Sequence, residues 1–334
     1  MKNRQSKLLF LMLFFGFSTI YSQFTDVINS NKPGFSESPY SVGSGVYQFE
    51  SNFFFKNTTI EPTFSKPQSI GFDMLFRTSL FLEKLELNAQ ISYQKDKIAF
   101  NNIFTSHYFS TGLSKATVGA KYLVYQQEYT DKSKEVRSWK RKMAFDWKRL
   151  IPSVAIYGGV NTDFVSDIYK TEIISPKAGI LLQNNLSDNF NVITNIFYDY
   201  IGTDFAEYSY IITATYNFGN QWSTFFENQT VFQKNQNNTN LGTGLAYLFT
   251  RNLQINTSAR YIIEGKANGF YGGLGVSYRI NKHKDSYIEL DKNGNPLRNP
   301  SIRSNNRKKG FFNRLFSIFT KKKGRKRTRK RRNN

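Results

Sequence analysis

Chemistry at a protein site needs particular side chains within reach of one another, and this chain supplies few of the usual ones. It has two histidines, His107 and His283, and no cysteine. A serine nucleophile needs an imidazole placed to take its proton. His107 stands in the polar stretch SHYFS and His283 lies far along the chain, and both read as exposed loop residues. Without cysteine, disulfides and thiolate metal sites are excluded, and two separated histidines do not make a transition-metal set. No glycine-rich loop leads into Lys and Ser or Thr to cradle a phosphate. The run DKNGNP at 291–296 opens like a calcium loop but lacks the later acidic ligands, so it reads as a turn. No catalytic residue, metal or cofactor is expected. What remains is a set of charged side chains inside otherwise apolar, alternating stretches: Asp73, Arg77, Glu86, Asp199, Glu227, Arg260, Glu264 and Arg279.

The elements that position these charges have the period of a strand. In NLQINTSARYII, Leu253, Ile255, Ala259, Tyr261 and Ile263 share one face, while Gln254, Asn256, Ser258, Arg260 and Glu264 share the other. From Phe205 to Ile280 five such segments follow one another almost without spacing. The N-terminus carries Lys2, Arg4 and Lys7 ahead of the apolar run from Leu8 to Phe17, then turns polar at Ser22, the layout of a secretory signal over residues 1–22. That run is shorter than the roughly 20 apolar residues of a membrane-spanning helix. Yet 16% of the chain is aromatic, with Phe 32 and Tyr 20. Many aromatics without long apolar runs suit transmembrane strands, where alternate residues meet lipid and aromatic girdles mark the interfaces.

Twelve strands are expected, near 45–55, 69–82, 85–94, 115–126, 152–161, 176–185, 189–200, 206–218, 221–232, 240–250, 252–264 and 269–280, forming an antiparallel transmembrane β-barrel over residues 23–281. Most connections after even strands are very short, whereas 56–68, 95–114 and 162–175 after odd strands are long and polar. Outer-membrane barrels have short periplasmic turns and longer external loops, so both termini are expected in the periplasm. The basic stretch 127–151 departs from this rhythm: it is either an insertion on the short-turn side or a miscounted hairpin. In the barrel, Leu85, Leu87, Ala89, Ile91 and Tyr93 face lipid with Ile70, Phe72, Met74, Phe76 and Leu80. The eight charged residues face the lumen, either lining a polar pore or pairing into a filled interior. The last strand should pair with the first, near Val46 to Phe55, to close the cylinder. Neither histidine shows the His-x-Ser arrangement of the outer-membrane lipid hydrolases.

The stretch NKPGFSESPYSVGSGVYQFE, before and into the first strand, resembles the opening signature of an outer-membrane family named after the meta-pathway of phenol degradation. Its members are labelled transporters. The resemblance implies a barrel and says little of substrate. The family's Pro-Thr-Gly turn after the strand at 152–164 is absent here.

The net charge of +22 belongs mostly to residues 282–334, which hold 19 Lys or Arg against 3 Asp or Glu. An exported chain does not meet nucleic acid, so none is expected as a partner despite the basic balance. Within this tail Phe311, Phe312, Leu315, Phe316 and Phe319 follow helical spacing, giving a short amphipathic helix able to contact membrane or a periplasmic partner, with the basic cluster binding anionic lipid. The expected protein is an outer-membrane channel or transporter for small polar or amphipathic solutes. The alternative is a non-transporting barrel whose basic tail anchors or recruits an envelope component.

Overall fold

Apolar side chains outside and polar ones inside carry through twelve strands: β1 Val46–Ile60, β2 Gln68–Thr78, β3 Leu85–Asn102, β4 Phe104–Tyr125, β5 Ser153–Asn161, β6 Ser175–Asn185, β7 Phe190–Asp199, β8 Glu207–Phe218, β9 Trp222–Gln233, β10 Asn237–Thr250, β11 Leu253–Glu264 and β12 Ala267–Asn281. The computed structural model describes residues 27–60, 68–80, 82–102, 104–128, 138–139, 144–170, 174–234, 237–265 and 267–282. The strands close into one antiparallel barrel in sequence order, with β1 paired to β12 from Val46↔Asn281 to Ile60↔Ala267. Closure removes every strand edge, as hydrocarbon surroundings demand.

The outer face carries the lipid-type side chains. Phe53, Ile70, Ile156, Phe226 and Leu274 are all more than half exposed, and cross-strand aromatic pairs such as Phe49–Phe76 and Phe53–Phe72 meet as tilted rings with centres 4.9 and 4.7 Å apart. Trp222 with Tyr247 and Tyr216 lie near one rim, and Tyr198 with Tyr208 near the other, the arrangement of interfacial girdles. Placed outward, these side chains contribute to stability only where hydrocarbon surrounds them.

Both ends of the barrel wall, Val46 and Asn281, sit at the rim that holds the short β6–β7, β8–β9 and β10–β11 turns. The connection between β4 and β5 is at the same rim, so the basic stretch is an insertion and the count of strands holds. Its described part is pinned to the wall: Gln127 donates to the Arg149 carbonyl at 2.6 Å and Arg149 pairs with Asp188 at 2.7 Å.

Several expected boundaries are corrected. The stretch 95–114 is not a loop: β3 and β4 run on as a hairpin that pairs through Asn102↔Phe104. Transmembrane strands need only about 9–11 residues, which the 18 residues of β3 and 22 of β4 exceed, and polar residues such as Lys95, Asp96, Lys97, Asn101 and Asn102 disguised the surplus as loop. His107 therefore lies within β4, opposite Ala99. β1 likewise extends to Ile60, and β2 ends at Thr78, which leaves Leu80 exposed just past the strand. The chain divides into two units, Met1–Lys284 and Asp285–Asn334. The second unit, with Phe311, Phe312, Leu315, Phe316 and Phe319, lies outside the described residues, as do His283 and residues 1–22.

The inside–outside assignment gives a direct test. Ile180→Lys, on the lipid face, should cost about 2–4 kcal/mol near the midplane, whereas Thr215→Lys, facing the lumen, should cost far less. Urea unfolding in phospholipid vesicles measures both.

Candidate functional site

The interior is not an empty tube. Residues 28–42, which have no strand period, run inside the barrel against its wall. The segment enters where the Ile28 amide bonds to the Arg251 carbonyl at the short-turn rim, 3.0 Å, and leaves through Gly43 and Gly45, both at positive φ, into β1. Glycine supplies that left-handed backbone without a Cβ clash.

Buried carboxylates on the wall hold the segment by its backbone. Glu50 accepts from the Asn31 and Lys32 amides, both at 2.8 Å, and from the Ser30 hydroxyl at 2.9 Å. Glu227 accepts from the Phe35 amide at 3.0 Å and the Ser36 amide at 3.2 Å. Glu86 accepts from the Val42 amide at 3.0 Å. Amide donors aimed at ionised acceptors make charge-assisted bonds, stronger than neutral ones. Asn195 clamps Glu37 twice, accepting from its amide at 2.7 Å and donating to its carbonyl at 2.8 Å.

Cations complete each carboxylate. Arg77 spans Glu86, at 2.8 and 3.0 Å, and Glu50, at 2.9 Å, and donates to the Asn29 carbonyl at 3.0 Å. Lys121 pairs with Glu86 at 2.9 Å and donates to the Ser38 carbonyl at 2.7 Å. Arg260 pairs with Glu227 at 3.3 Å, bonds the Pro33 carbonyl, and lies over the rings of Phe35 and Tyr271, 3.9 and 5.0 Å from their centres. Room for it comes from Gly242, where a Cβ would stand 2.6 Å from Arg260 Cγ. All these charged groups are essentially inaccessible. An uncompensated buried charge costs several kcal/mol, so the wall and the segment need one another.

The remaining candidates lie on the same inner face. Asp199 pairs with Lys177 at 3.1 Å and Lys115 at 3.4 Å. Glu264 pairs with Lys56, and Asp73 accepts from Ser92. Arg279 donates to Asn252 at 3.1 Å near the short-turn rim. Asp199 and Glu264 end their strands at the far mouth, so the eight candidates do not form one cluster. Arg77 and Glu86 join one network, Glu227 and Arg260 a second, and the others stand apart.

Five charged partners, Glu50, Lys56, Lys115, Lys121 and Lys177, were not singled out from sequence, although VYQFESNFFFK, SKATVGAK and SPKAGIL carry the alternation that turns them inward. Nor is the lumen polar throughout: Leu123, Ala155, Tyr157, Leu181, Phe197 and Ile211 form an inward apolar patch on which Phe35 and Tyr40 pack.

Open space remains beside the segment. A cavity of ≈ 410 Å³ lies toward the short-turn rim, and smaller ones of ≈ 130 and ≈ 240 Å³ lie toward the far mouth. The first and second both touch Asn31, Lys32, Gly34 and Ser36, so the segment is the partition between them.

The family model described as "Putative MetA-pathway of phenol degradation" matches residues 30–280, so the match takes in the lumenal segment along with the wall. Among solved structures, an outer membrane channel from Pseudomonas putida F1 superposes with a TM-score of 0.56 at 9% identity, over 75% of this chain and 99% of that one. The KdgM porin gives a TM-score of 0.39 at 10% identity, over 68% and 98%, and the CymD monoaromatic hydrocarbon channel 0.37 at 10%, over 72% and 90%. The first likeness shows the fold; the other two are too distant to bear on this chain. No curated protein matches.

Glu50→Ala would leave the Asn31 and Lys32 amides without their acceptor and Arg77 without one of its two counter-charges. It should cost about 3–5 kcal/mol and free the segment locally. Hydrogen exchange should show protection lost at Asn31 and Lys32 while the amides of β6 to β9 keep theirs.

Proposed function

The chain belongs to the family described as "Putative MetA-pathway of phenol degradation", and from that premise we propose that it is an outer-membrane channel for small polar or amphipathic solutes, with both chain ends on the periplasmic side. The observation that carries this reading is the space left beside the segment, ≈ 410 Å³ on one side of its partition and ≈ 130 Å³ on the other. A barrel that served only as an anchor would have no use for cavities at both mouths of one partition. Residues 31–36 set the bore, and the wall carboxylates set how firmly those residues stay in place. The inward apolar patch gives a solute with both polar and apolar parts something to slide against. The short β6–β7, β8–β9 and β10–β11 turns support the periplasmic placement of the ends, because outer-membrane barrels turn tightly on that side.

The density of bonds to the segment favours a second reading, a barrel kept closed by residues 28–42 whose basic tail recruits an envelope partner. Planar-bilayer recording of the purified full-length protein separates the two. The channel reading expects unitary conductance from the wild type and a severalfold larger one from the Glu50→Ala, Glu227→Ala double variant, whose segment is loosened. Silence from both proteins would favour the closed barrel. Co-purification of envelope components that disappears on deletion of 303–334 would then assign the tail its role.

A further inference from the structure

Among the described residues, most cations facing the lumen have a charged partner, and Lys32 is an exception. Arg77, Lys121 and Arg260 pair with Glu50, Glu86 and Glu227, while Lys56, Lys115 and Lys177 pair with Glu264 and Asp199. The backbone of Lys32 is fully used: its amide donates to Glu50 and its carbonyl accepts from Asn256 at 3.0 Å. Its ammonium makes no hydrogen bond or ion pair with any described residue, although the residue is only 8% exposed. The Lys32 ammonium is not among the sealed-off side-chain atoms that lack a partner, so it keeps access to the space inside the barrel and is free to meet an anionic group there.

The surroundings indicate that use. Lys32 lines both the large cavity and its smaller neighbour across the partition. The large cavity has no acidic residue on its wall. Its polar lining is amide and hydroxyl, including Gln183, Asn191, Asn217, Gln221 and Gln254, with Phe225 adding an aromatic surface. Its ≈ 410 Å³ falls in the range of about 300–1,000 Å³ usual for small-molecule sites. The smaller cavity carries charges of both signs, Glu37, Asp199 and Glu207 with Lys115 and Lys177, whereas in the large one Lys32 is a single cation on an otherwise neutral wall of donors and acceptors, which suits a ligand with one anionic group and a hydroxyl-rich body.

We propose that the large cavity is a binding site for small organic acids with a polyhydroxylated body, and that the Lys32 ammonium is the group that recognises the carboxylate. This deepens the channel reading by naming its solute class and rests on that reading only for transport; occupancy of the site does not require an open bore.

Gluconate and glucose are a suitable pair of probes, similar in size and differing in charge. Calorimetric titration of the full-length protein in detergent should show gluconate binding at least about tenfold more tightly than glucose, a difference of roughly 1.4 kcal/mol. The preference should shrink as salt is raised, because added ions screen the attraction. Lys32→Gln should abolish the preference and Lys32→Arg should retain it, with retarded migration of the unheated protein on gels confirming that both variants fold. Equal binding of the two probes by the wild type, no binding of either, or an unchanged preference in Lys32→Gln would overturn the site. Gluconate binding together with a silent bilayer would leave the site standing and count against the channel, and conductance without gluconate preference would do the reverse.

Discussion

The structure depends on a mutual need for charge compensation between the barrel wall and the chain that precedes it. Glu50, Glu86 and Glu227 sit on the inner face with almost no access to solvent. Their cations, Arg77, Lys121 and Arg260, supply only part of the hydrogen bonding that buried carboxylates require. Backbone amides from Asn31 to Val42 supply much of the rest, with the Ser30 and Thr213 hydroxyls and the Gln48 side-chain amide. The segment in turn has no strand partner, so its own amides and carbonyls would be orphaned inside the lumen without these side chains. Neither part is stable inside the barrel alone, and this explains how an irregular stretch can hold one position against a polar wall.

The outer face works by the opposite rule. There the side chains are apolar and exposed, and the wall gains from surrounding hydrocarbon what a soluble protein gains from its core. The barrel thus has two surfaces with opposite solvents, and the strand period of two is the device that separates them. The inward apolar patch around Leu181 and Phe197 is an exception with a physical reason. It receives Phe35 and Tyr40, the two large rings of the segment, and so fixes the segment laterally while the carboxylates fix it along the wall.

Much of the wall was legible in the sequence and the segment was not. Alternation such as Leu253, Ile255 against Gln254, Asn256 gives both the strands and their faces, and it places all eight charged candidates inward. The pairing of first strand with last follows from the need to close. Residues 28–42 have no period because each bend of the segment answers to a different wall residue, and its contribution is made by backbone amides, which no side-chain pattern encodes. The stretch NKPGFSESPYSV could be recognised as a family signature without revealing that it lies inside the cylinder. The hairpin beyond Tyr93 was missed for a related reason: the consecutive polar residues Lys95, Asp96 and Lys97 break the alternation there. Leu181 was hidden because Ile180, Leu181 and Leu182 stand in one apolar run, which conceals the inward member.

The central claim is that the segment lies within the barrel on a defined wall register. Ser30 on the segment and Ser277 on β12 meet there, hydroxyl to hydroxyl, at 2.6 Å, so a Cys at each position would place its sulfur where the hydroxyl now stands. The natural chain has no cysteine, so a Ser30→Cys, Ser277→Cys double variant offers one unambiguous cross-link. The account predicts that the folded protein forms this disulfide in the native membrane and that it shields both thiols from a bulky water-soluble maleimide. Free reaction of the position-30 thiol with that maleimide, with no disulfide formed, would contradict it.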